Sequence, residues 1–295
     1  MQGHEDVLIG TMVPGGKPDY LQQVVGLGFE SYEFNWWKYI GDVDLKKIAD
    51  EDKKILDKSG NGAVVSCLGL YGNPLIDKQT AKDWVRAVDA CKSFGCDLVT
   101  GFAGRVVDKP IPESIDTFKK VFGPIVKRAE DKGVRIAFEN CDMGGTWEHG
   151  DWNIAHAPAA WEMIFEAIPS PNLGLEWEPC HQMNSLIDPL PQLRKWVHKV
   201  FHLHGKDATV LWDVVRQCGI RGGKQYVYHR TPGFGDTNWT DIISILRMGK
   251  FNGAIDIEGW HDPVYREKLE MTGQVHALKY LQNCRGGEYV ENPKQ

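Results

Sequence analysis

Apolar and polar positions alternate in blocks along this chain of 295 residues. Short apolar runs are followed by longer segments in which apolar residues recur every three or four positions, which is the spacing of an amphipathic helix. The pattern therefore predicts strands that alternate with helices. Eight apolar runs occur, near Val7, Tyr32, Val65, Leu98, Ile136, Leu175, Leu203 and Ile255.

A strand followed by a helix, repeated along the chain, indicates a parallel sheet. Eight such units in 295 residues favour a closed (β/α)8 TIM barrel of the α/β class over an open doubly wound sheet. No linker divides the chain, so we expect one domain over residues 1–295. Residues 209–238, which include the stretch GIRGGK, are the least regular and are expected to be an insertion after the seventh strand, over the C-terminal rim.

The last four predicted strands each end in an ionisable residue, namely Glu139, Glu178, His204 and Glu258. Because the ends of neighbouring barrel strands meet at one rim, we expect these four side chains to converge. Three carboxylates in one dry pocket require a cation. Carboxylates with an imidazole suit Mn²⁺, Mg²⁺, Co²⁺ or Zn²⁺, and oxygen-rich ligation favours the harder ions. The pattern predicts one divalent metal ion, with Mn²⁺ as the first choice.

Three of these residues have a second polar residue two positions earlier, on the same face of the strand. Glu176 precedes Glu178, His202 precedes His204, and Asp256 precedes Glu258. If the outer residue binds a metal, the inner one lies a layer deeper and orients it. The alternative is that His202 is a satisfied core histidine and His204 an exposed one, which leaves the neighbouring carboxylates unexplained.

Charge and composition limit the partners. The formal net charge is −6 and no block of Lys and Arg stands out, which disfavours nucleic acid. No run of about 18 apolar residues and no signal-peptide pattern occur, so we expect a cytoplasmic protein without a membrane partner. The seven cysteines are scattered without a C-x-x-C pair, as expected for buried thiols in a reducing compartment.

The segments AFEN, LEWEPCH, HLHGKD, RTPGFGDTNW and IEGWHDP occur in an order and spacing that resemble the xylose-isomerase-like barrel superfamily of sugar phosphate isomerases and epimerases. LYGNPL, after the third predicted strand, also fits. The resemblance covers almost the whole chain and is most specific over residues 137–262. It implies a soluble enzyme that acts on a small sugar or keto-sugar, and it permits a homo-oligomer.

The resemblance also implies roles for individual residues. Glu139, Glu178, His204 and Glu258 occupy the metal positions, and Glu139 and Glu258 are the catalytic pair that exchanges a proton beside the carbonyl. The family usually has Asp at the position of Glu178, and the extra methylene moves this carboxylate outward by about a bond length, which leaves Glu176 as an alternative ligand. The residues expected to contact substrate are His181, Arg230, Trp37, Asn140, Trp147 and Lys206.

Several neighbouring residues have two interpretations. Lys206 and Asp207 either face substrate, with Asp207 supporting His181 or Lys206, or form an exposed ion pair. His229 fits a surface residue better than a third acid or base. Aromatic residues are expected to crowd the rim, where indole rings pack against the C–H faces of sugars. They are Trp36, Trp37, Tyr71, Trp147 and Trp260.

Four functions remain open on the sequence alone. The first is a metal-dependent sugar isomerase or epimerase that works through an enediolate. The second is a lyase on keto-sugars or 3-keto-glycosides, similar to inosose dehydratases or to the barrel subunit of C-glycoside deglycosidases, which has a small partner subunit. Endonuclease IV-type repair is disfavoured because LGLYGNP and GFAGR lack the extra histidines that a three-zinc site needs. A sugar-binding barrel without catalysis leaves the metal residues unexplained.

Overall fold

A computed structural model of the chain, which describes residues 4–294, contains the eight strands that the apolar runs predict. They form a closed parallel barrel that runs in chain order from β1 to β7 and closes through β10, which pairs with both β7 and β1. The predicted (β/α)8 barrel is confirmed. The barrel strands are β1 (Val7–Pro14), β2 (Ser31–Trp37), β3 (Val64–Tyr71), β4 (Leu98–Gly101), β5 (Arg135–Glu139), β6 (Leu173–Trp177), β7 (Val200–Gly205) and β10 (Gly253–Ile257).

Helices follow the barrel strands, as the helical spacing predicts. They are α1 (Pro18–Val24), α2 (Leu45–Ser59), α3 (Lys78–Ala90), α4 (Ile111–Asp131), α5 (Pro158–Ala167), α6 (Pro179–Asn184), α7 (Pro189–Trp196), α8 (Trp212–Cys218), α9 (Trp239–Met248) and α10 (Glu270–Cys284). Within residues 4–294, no helix has both the length and the apolar run that crossing a bilayer requires.

An aromatic cluster between the barrel and its helices holds β5 in place. The ring of Phe138 on β5 lies 4.8 Å from that of Phe122 on α4, and Phe122 lies 5.2 Å from Trp84 on α3. All three are fully buried, and such edge-on aromatic pairs stabilise beyond their buried area. Since Glu139 follows Phe138 directly, this packing also fixes the strand end that carries Glu139.

The region expected to be an irregular insertion contains a small sheet of its own. Strands β8 (Asp207–Val210) and β9 (Val227–Arg230) pair antiparallel, with α8 between them. Regular structure therefore begins directly after β7, at Asp207. Five of the seven cysteines are buried free thiols as expected, namely Cys67, Cys91, Cys96, Cys141 and Cys180. Cys218 on α8 is exposed.

Helix α2 buries one carboxylate, that of Asp52, on the face that also buries Leu45, Ile48 and Ala49. Burial, with a smaller effect of Glu51, raises the pKa of Asp52 to about 7. An unfolded Asp has a pKa of about 3.9. The folded protein therefore binds this proton more tightly, and the free energy of unfolding decreases as pH rises from about 4 to 7.

We expect Asp52→Asn to raise the melting temperature at pH 8 by roughly 4 °C and to give no increase at pH 4. Thermal unfolding followed by circular dichroism measures both values. The control is Asp50→Asn, at an exposed position of the same helix, which should shift neither value. An equal increase at the two pH values for Asp52→Asn would contradict the titration.

Candidate metal and substrate site

The four predicted strand-end residues meet at the carboxyl end of the barrel. Glu139 ends β5, Glu178 directly follows β6, His204 lies near the end of β7, and Glu258 directly follows β10. One potential ligand atom of each lies within 4.8 Å of those of the other three. All four side chains are buried. We call Glu139, Glu178, His204 and Glu258 the strand-end cluster.

The strand-end cluster leaves acceptor atoms without partners. His204 Nδ1 lies 3.1 Å from Glu139 Oε1, 3.5 Å from Glu258 Oε2 and 3.8 Å from Glu178 Oε2. Within the described chain, the Oε2 atoms of Glu178 and Glu258 are buried and accept no hydrogen bond. Such atoms are costly unless something binds them. Three carboxylates and an imidazole nitrogen suit a hard divalent cation, so the residues present fit the predicted metal.

Lys206 binds the opposite sides of two of these carboxylates. Its Nζ donates to Glu258 Oε1 at 2.9 Å and lies 3.3 Å from Glu178 Oε1. Burial opposes the charged ammonium, but Glu178 and Glu258 raise the pKa of Lys206 above its usual range. Burial likewise opposes an ionised Glu258, but the charges of Lys206 and His204 and a hydrogen bond from His261 together outweigh it and lower the pKa of Glu258 to about 2. Both carboxylates therefore keep their charge.

The interpretation of Lys206 and Asp207 as an exposed ion pair is wrong, because both side chains are buried. The expected support of His181 or Lys206 by Asp207 is also wrong. Asp207 instead accepts hydrogen bonds from the Thr237 backbone N–H at 3.0 Å and from Trp239 Nε1 at 3.2 Å. It thereby joins the start of the β8–β9 sheet to the start of α9.

A second polar layer lies beneath the strand-end cluster. His202 contacts Glu176 Oε1 through Nδ1 at 3.0 Å and Asp256 Oδ2 through Nε2 at 2.9 Å. All three are fully buried, and Asp256 also accepts hydrogen bonds from Ser31 and Ser66. His202 is thus hydrogen-bonded on both nitrogens. Glu176 belongs to this deeper layer, so it is Glu178 that completes the strand-end cluster.

Sequence reasoning missed Glu33, which contacts the far side of His204. His204 Nε2 lies 3.0 Å from Glu33 Oε2 and 3.2 Å from Glu176 Oε1, and the Tyr71 hydroxyl donates to Glu33 Oε1 at 2.5 Å. When Nε2 carries the proton and donates it to Glu33, the Nδ1 lone pair faces the strand-end cluster. The sequence feature that could have pointed to Glu33 is a charged residue in the middle of the apolar strand SYEFNWW.

We expect Glu33→Gln to weaken Mn²⁺ binding by about 10- to 100-fold, because partners that orient a metal-binding histidine contribute by that amount. Isothermal titration of metal-free protein with MnCl₂ measures the change. Urea unfolding of the same metal-free variant verifies that its fold is intact. Unchanged Mn²⁺ affinity would show that Glu33 does not orient His204 toward a metal.

A cavity of about 600 Å³ opens above the strand-end cluster. Of the residues expected to contact substrate, Trp37, His181 and Lys206 line it, together with Glu139 and Glu258. His181 is 4% exposed, and neither of its ring nitrogens has a hydrogen-bond partner in the described chain. Its Nε2 lies 3.1 Å from Glu178 Oε2, but the two groups are not aligned for a hydrogen bond. His181 is therefore available to a substrate oxygen.

The other three expected substrate contacts do not line this cavity. Asn140 forms two hydrogen bonds with the backbone of Glu178, at 2.9 and 2.6 Å, and so fixes the end of β6. Arg230 donates to Asp262 at 3.1 Å, and Trp147 packs against the hydrophobic core. Their side chains therefore lie outside the cavity lining, and a direct contact with substrate stays a prediction for them.

The aromatic rim is also partly different from the expectation. Trp37, Tyr71 and Trp260 line the cavity, whereas Trp36 is buried in the core. His229 lines the cavity too, so its assignment to the surface is wrong. Burial, and then the charge of Lys206, lower the pKa of His229 to about 4, so its imidazole is neutral near pH 7.

Comparison with known proteins identifies the fold family. The family model described as xylose isomerase-like TIM barrel matches residues 21–284. Among curated proteins, an inosose dehydratase of Clostridium tetani is 27% identical over 113 residues, which is 37% of this chain and 37% of that protein. The match therefore spans well under half the length of this curated relative.

Two solved structures share the fold over nearly their whole length. The 3-keto-D-glucoside 4-epimerase YcjR from E. coli has a TM-score of 0.66 and 16% identity, and the alignment covers 94% of this chain and 100% of that one. A xylose isomerase-like TIM barrel protein from Mycobacterium smegmatis, in complex with magnesium, has a TM-score of 0.70 and 14% identity, with 97% and 100% covered. At these identities the likeness concerns the fold.

Proposed function

Because the chain belongs to the xylose isomerase-like TIM barrel family, we propose that it is a metal-dependent enzyme that moves a proton at a carbon next to a carbonyl of a sugar, as an isomerase or epimerase. The metal is proposed to be Mn²⁺. The observation that carries this proposal is the strand-end cluster, in which two buried carboxylate oxygens lack partners at the base of a cavity.

Glu139, Glu178, His204 and Glu258 would hold the ion. A divalent ion bound there polarises carbonyl and hydroxyl oxygens and stabilises negative charge on them. Glu139 and Glu258 also line the cavity, whereas Glu178 is not part of its lining. These two carboxylates therefore reach the substrate, where one removes the proton next to the carbonyl and the other returns one. Delivery to the opposite face gives epimerisation.

Other residues of the cavity bind and orient the substrate. His181 lines the cavity and offers its unpartnered Nδ1 to a substrate oxygen, and the neutral His229 offers a further donor and acceptor. Lys206 keeps the carboxylate of Glu258 ionised and in place. The polar side of the cavity thus positions a polyol against the two glutamates.

A lyase is the second candidate, and the placement of His181 favours it. Elimination begins with the same proton abstraction but also needs a proton donor for the departing hydroxyl. His181 lies in the cavity with Glu139 and Glu258 and has no other hydrogen-bond partner in the described chain. The inosose dehydratase among the sequence relatives is consistent with this route.

One experiment tests the proposal and separates the two reactions. Mn²⁺-loaded protein is incubated in D₂O with scyllo-inosose, with D-tagatose and with 3-keto-D-glucose. The expected result is deuterium incorporation at the carbon next to the carbonyl, detected by NMR, which stops when EDTA is added. Loss of water in the mass spectrum identifies the lyase. If none of the three exchanges deuterium, the proposed proton transfer on such compounds is wrong.

A further inference from the structure

We infer that the substrate of the proposed reaction is an uncharged sugar with a flat apolar substituent, and that the substituent packs against one side of the cavity. This inference depends on the proposed function for the sugar half of the ligand. The observation behind it is that polar and apolar side chains line different sides of the cavity.

The apolar side comes mostly from the first half of the barrel. Six large side chains line it, namely Met12, Trp37, Tyr71, Phe102, Met143 and Trp260. We call them the apolar wall. The polar side comes mostly from later strands and holds Glu139, His204 and Glu258 with His181 and Lys206, while Asn35 adds one amide from β2. A free polyol that filled both halves would leave hydroxyl groups without partners against the apolar wall, which is unfavourable.

Two tryptophans of the apolar wall stay exposed although they lie at a cavity. Trp37 is 56% exposed and Trp260 is 41% exposed. Trp260 also has a backbone φ of +67°, a region that bulky residues rarely adopt and that is typical of functional sites. Trp37 contacts the rings of Phe102 and Trp152, at 6.4 and 5.4 Å between ring centroids. The parts of both indole rings that stay exposed are suited to packing against a ligand.

The size of the cavity leaves room for more than a sugar ring. A volume of about 600 Å³ lies in the middle of the range of roughly 300–1,000 Å³ that drug-sized ligands occupy. The strand-end cluster fixes the sugar at the polar side. The remaining space is bounded by the apolar wall.

The charges around the cavity disfavour a phosphate as the substituent. Lys206 is the one lysine or arginine among the described residues that line it, and it is already paired with Glu258 and Glu178. Arg230 is paired with Asp262 outside the cavity. Asp142 adds a further carboxylate to the lining. An anionic group would meet repulsion here, whereas a neutral aryl group would not.

Matched glucosides test the inference. Phenyl β-D-glucoside, methyl β-D-glucoside and glucose 6-phosphate are titrated into Mn²⁺-loaded protein and into EDTA-treated protein by calorimetry. We expect the phenyl glucoside to bind about tenfold more tightly than the methyl glucoside. The same ratio is expected without metal, because the apolar wall is separate from the ligand atoms. A loss of Mn²⁺ binding would thus defeat the proposed function and leave this ratio unchanged.

Variants of Trp37 assign the preference to the apolar wall. Trp37→Ala should abolish the phenyl preference, and Trp37→Phe should retain most of it. The control is Trp212→Ala, which removes a similarly exposed tryptophan on α8 that does not line the cavity, and it should leave the preference intact. Equal affinities for the two glucosides, tighter binding of glucose 6-phosphate, or no measurable binding of either glucoside would overturn the inference.

Discussion

Replacing Glu139 with glutamine should lower turnover by about 10²- to 10⁴-fold at saturating Mn²⁺. Glutamine has nearly the same size and can still offer an oxygen to a cation, but its amide neither accepts nor returns a proton. Glu139 ends β5, lines the cavity and lies 3.1 Å from His204. The loss should therefore fall on kcat. Initial rates of deuterium exchange on the active substrate, measured over a range of Mn²⁺ concentrations, give kcat apart from metal affinity.

Glu166→Gln is the matched control for this prediction. It makes the same chemical change at an exposed position of α5 and should leave kcat unaltered. If Glu139→Gln loses activity only below Mn²⁺ saturation and recovers fully above it, Glu139 is a ligand without a role in proton transfer. The two-carboxylate mechanism would then be wrong.

Adding Mn²⁺ to metal-free protein should raise the melting temperature by roughly 5–10 °C at a free concentration about 100 times the Kd. A ligand that binds the folded state alone stabilises it by mass action. In this protein the ion would also bind the two buried carboxylate oxygens that have no other partner in the described chain. EDTA should reverse the shift, and differential scanning fluorimetry follows both steps.

His204→Ala should remove the Mn²⁺-induced shift, because it removes an imidazole nitrogen that lies 3.1–3.8 Å from all three carboxylates. His198→Ala, at an exposed position shortly before β7, should preserve it. A Mn²⁺-induced shift of equal size in His204→Ala would locate the stabilising ion elsewhere. No shift in the unmodified protein would favour a sugar-binding barrel that works without metal.

The sequence predicted the barrel and the strand-end cluster because both follow from local pattern. Apolar runs mark strands wherever they occur, and an ionisable residue at the end of a buried strand is visible without knowledge of its partners. Barrel closure then brings Glu139, Glu178, His204 and Glu258 to one rim. These relations depend on periodicity and strand order, which a single sequence contains.

The sequence could not assign side chains whose role depends on loops and on partners distant in the chain. Asn140 follows Glu139 directly, yet its amide reaches across to the backbone of Glu178. Arg230 is held outside the cavity by a hydrogen bond to Asp262, which lies 32 residues later. Glu33 contacts His204 from β2, 171 residues away. Glu33 is visible as a charged residue within an apolar strand. The partner of each of these residues, however, cannot be identified from spacing or composition, since each contact depends on how neighbouring strands and loops are aligned.

The same reason explains why the sequence left two interpretations of Lys206 open and assigned His229 to the surface. A lysine directly after a strand usually reaches solvent, but the β8–β9 sheet begins at once and Lys206 is buried against Glu258. His229 lies on β9, which pairs with β8 and thereby carries the imidazole into the cavity. The small sheet inside the insertion, which periodicity did not reveal, determines where the side chains of Lys206 and His229 lie.

The most direct test of the metal site is anomalous X-ray diffraction from a crystal soaked in MnCl₂, with data collected on both sides of the manganese absorption edge. We expect one anomalous peak within coordination distance of Glu139, Glu178, His204 and Glu258, with His204 bound through Nδ1. A peak in the deeper layer of Glu176, His202 and Asp256 would contradict the account. So would an empty strand-end cluster at saturating Mn²⁺.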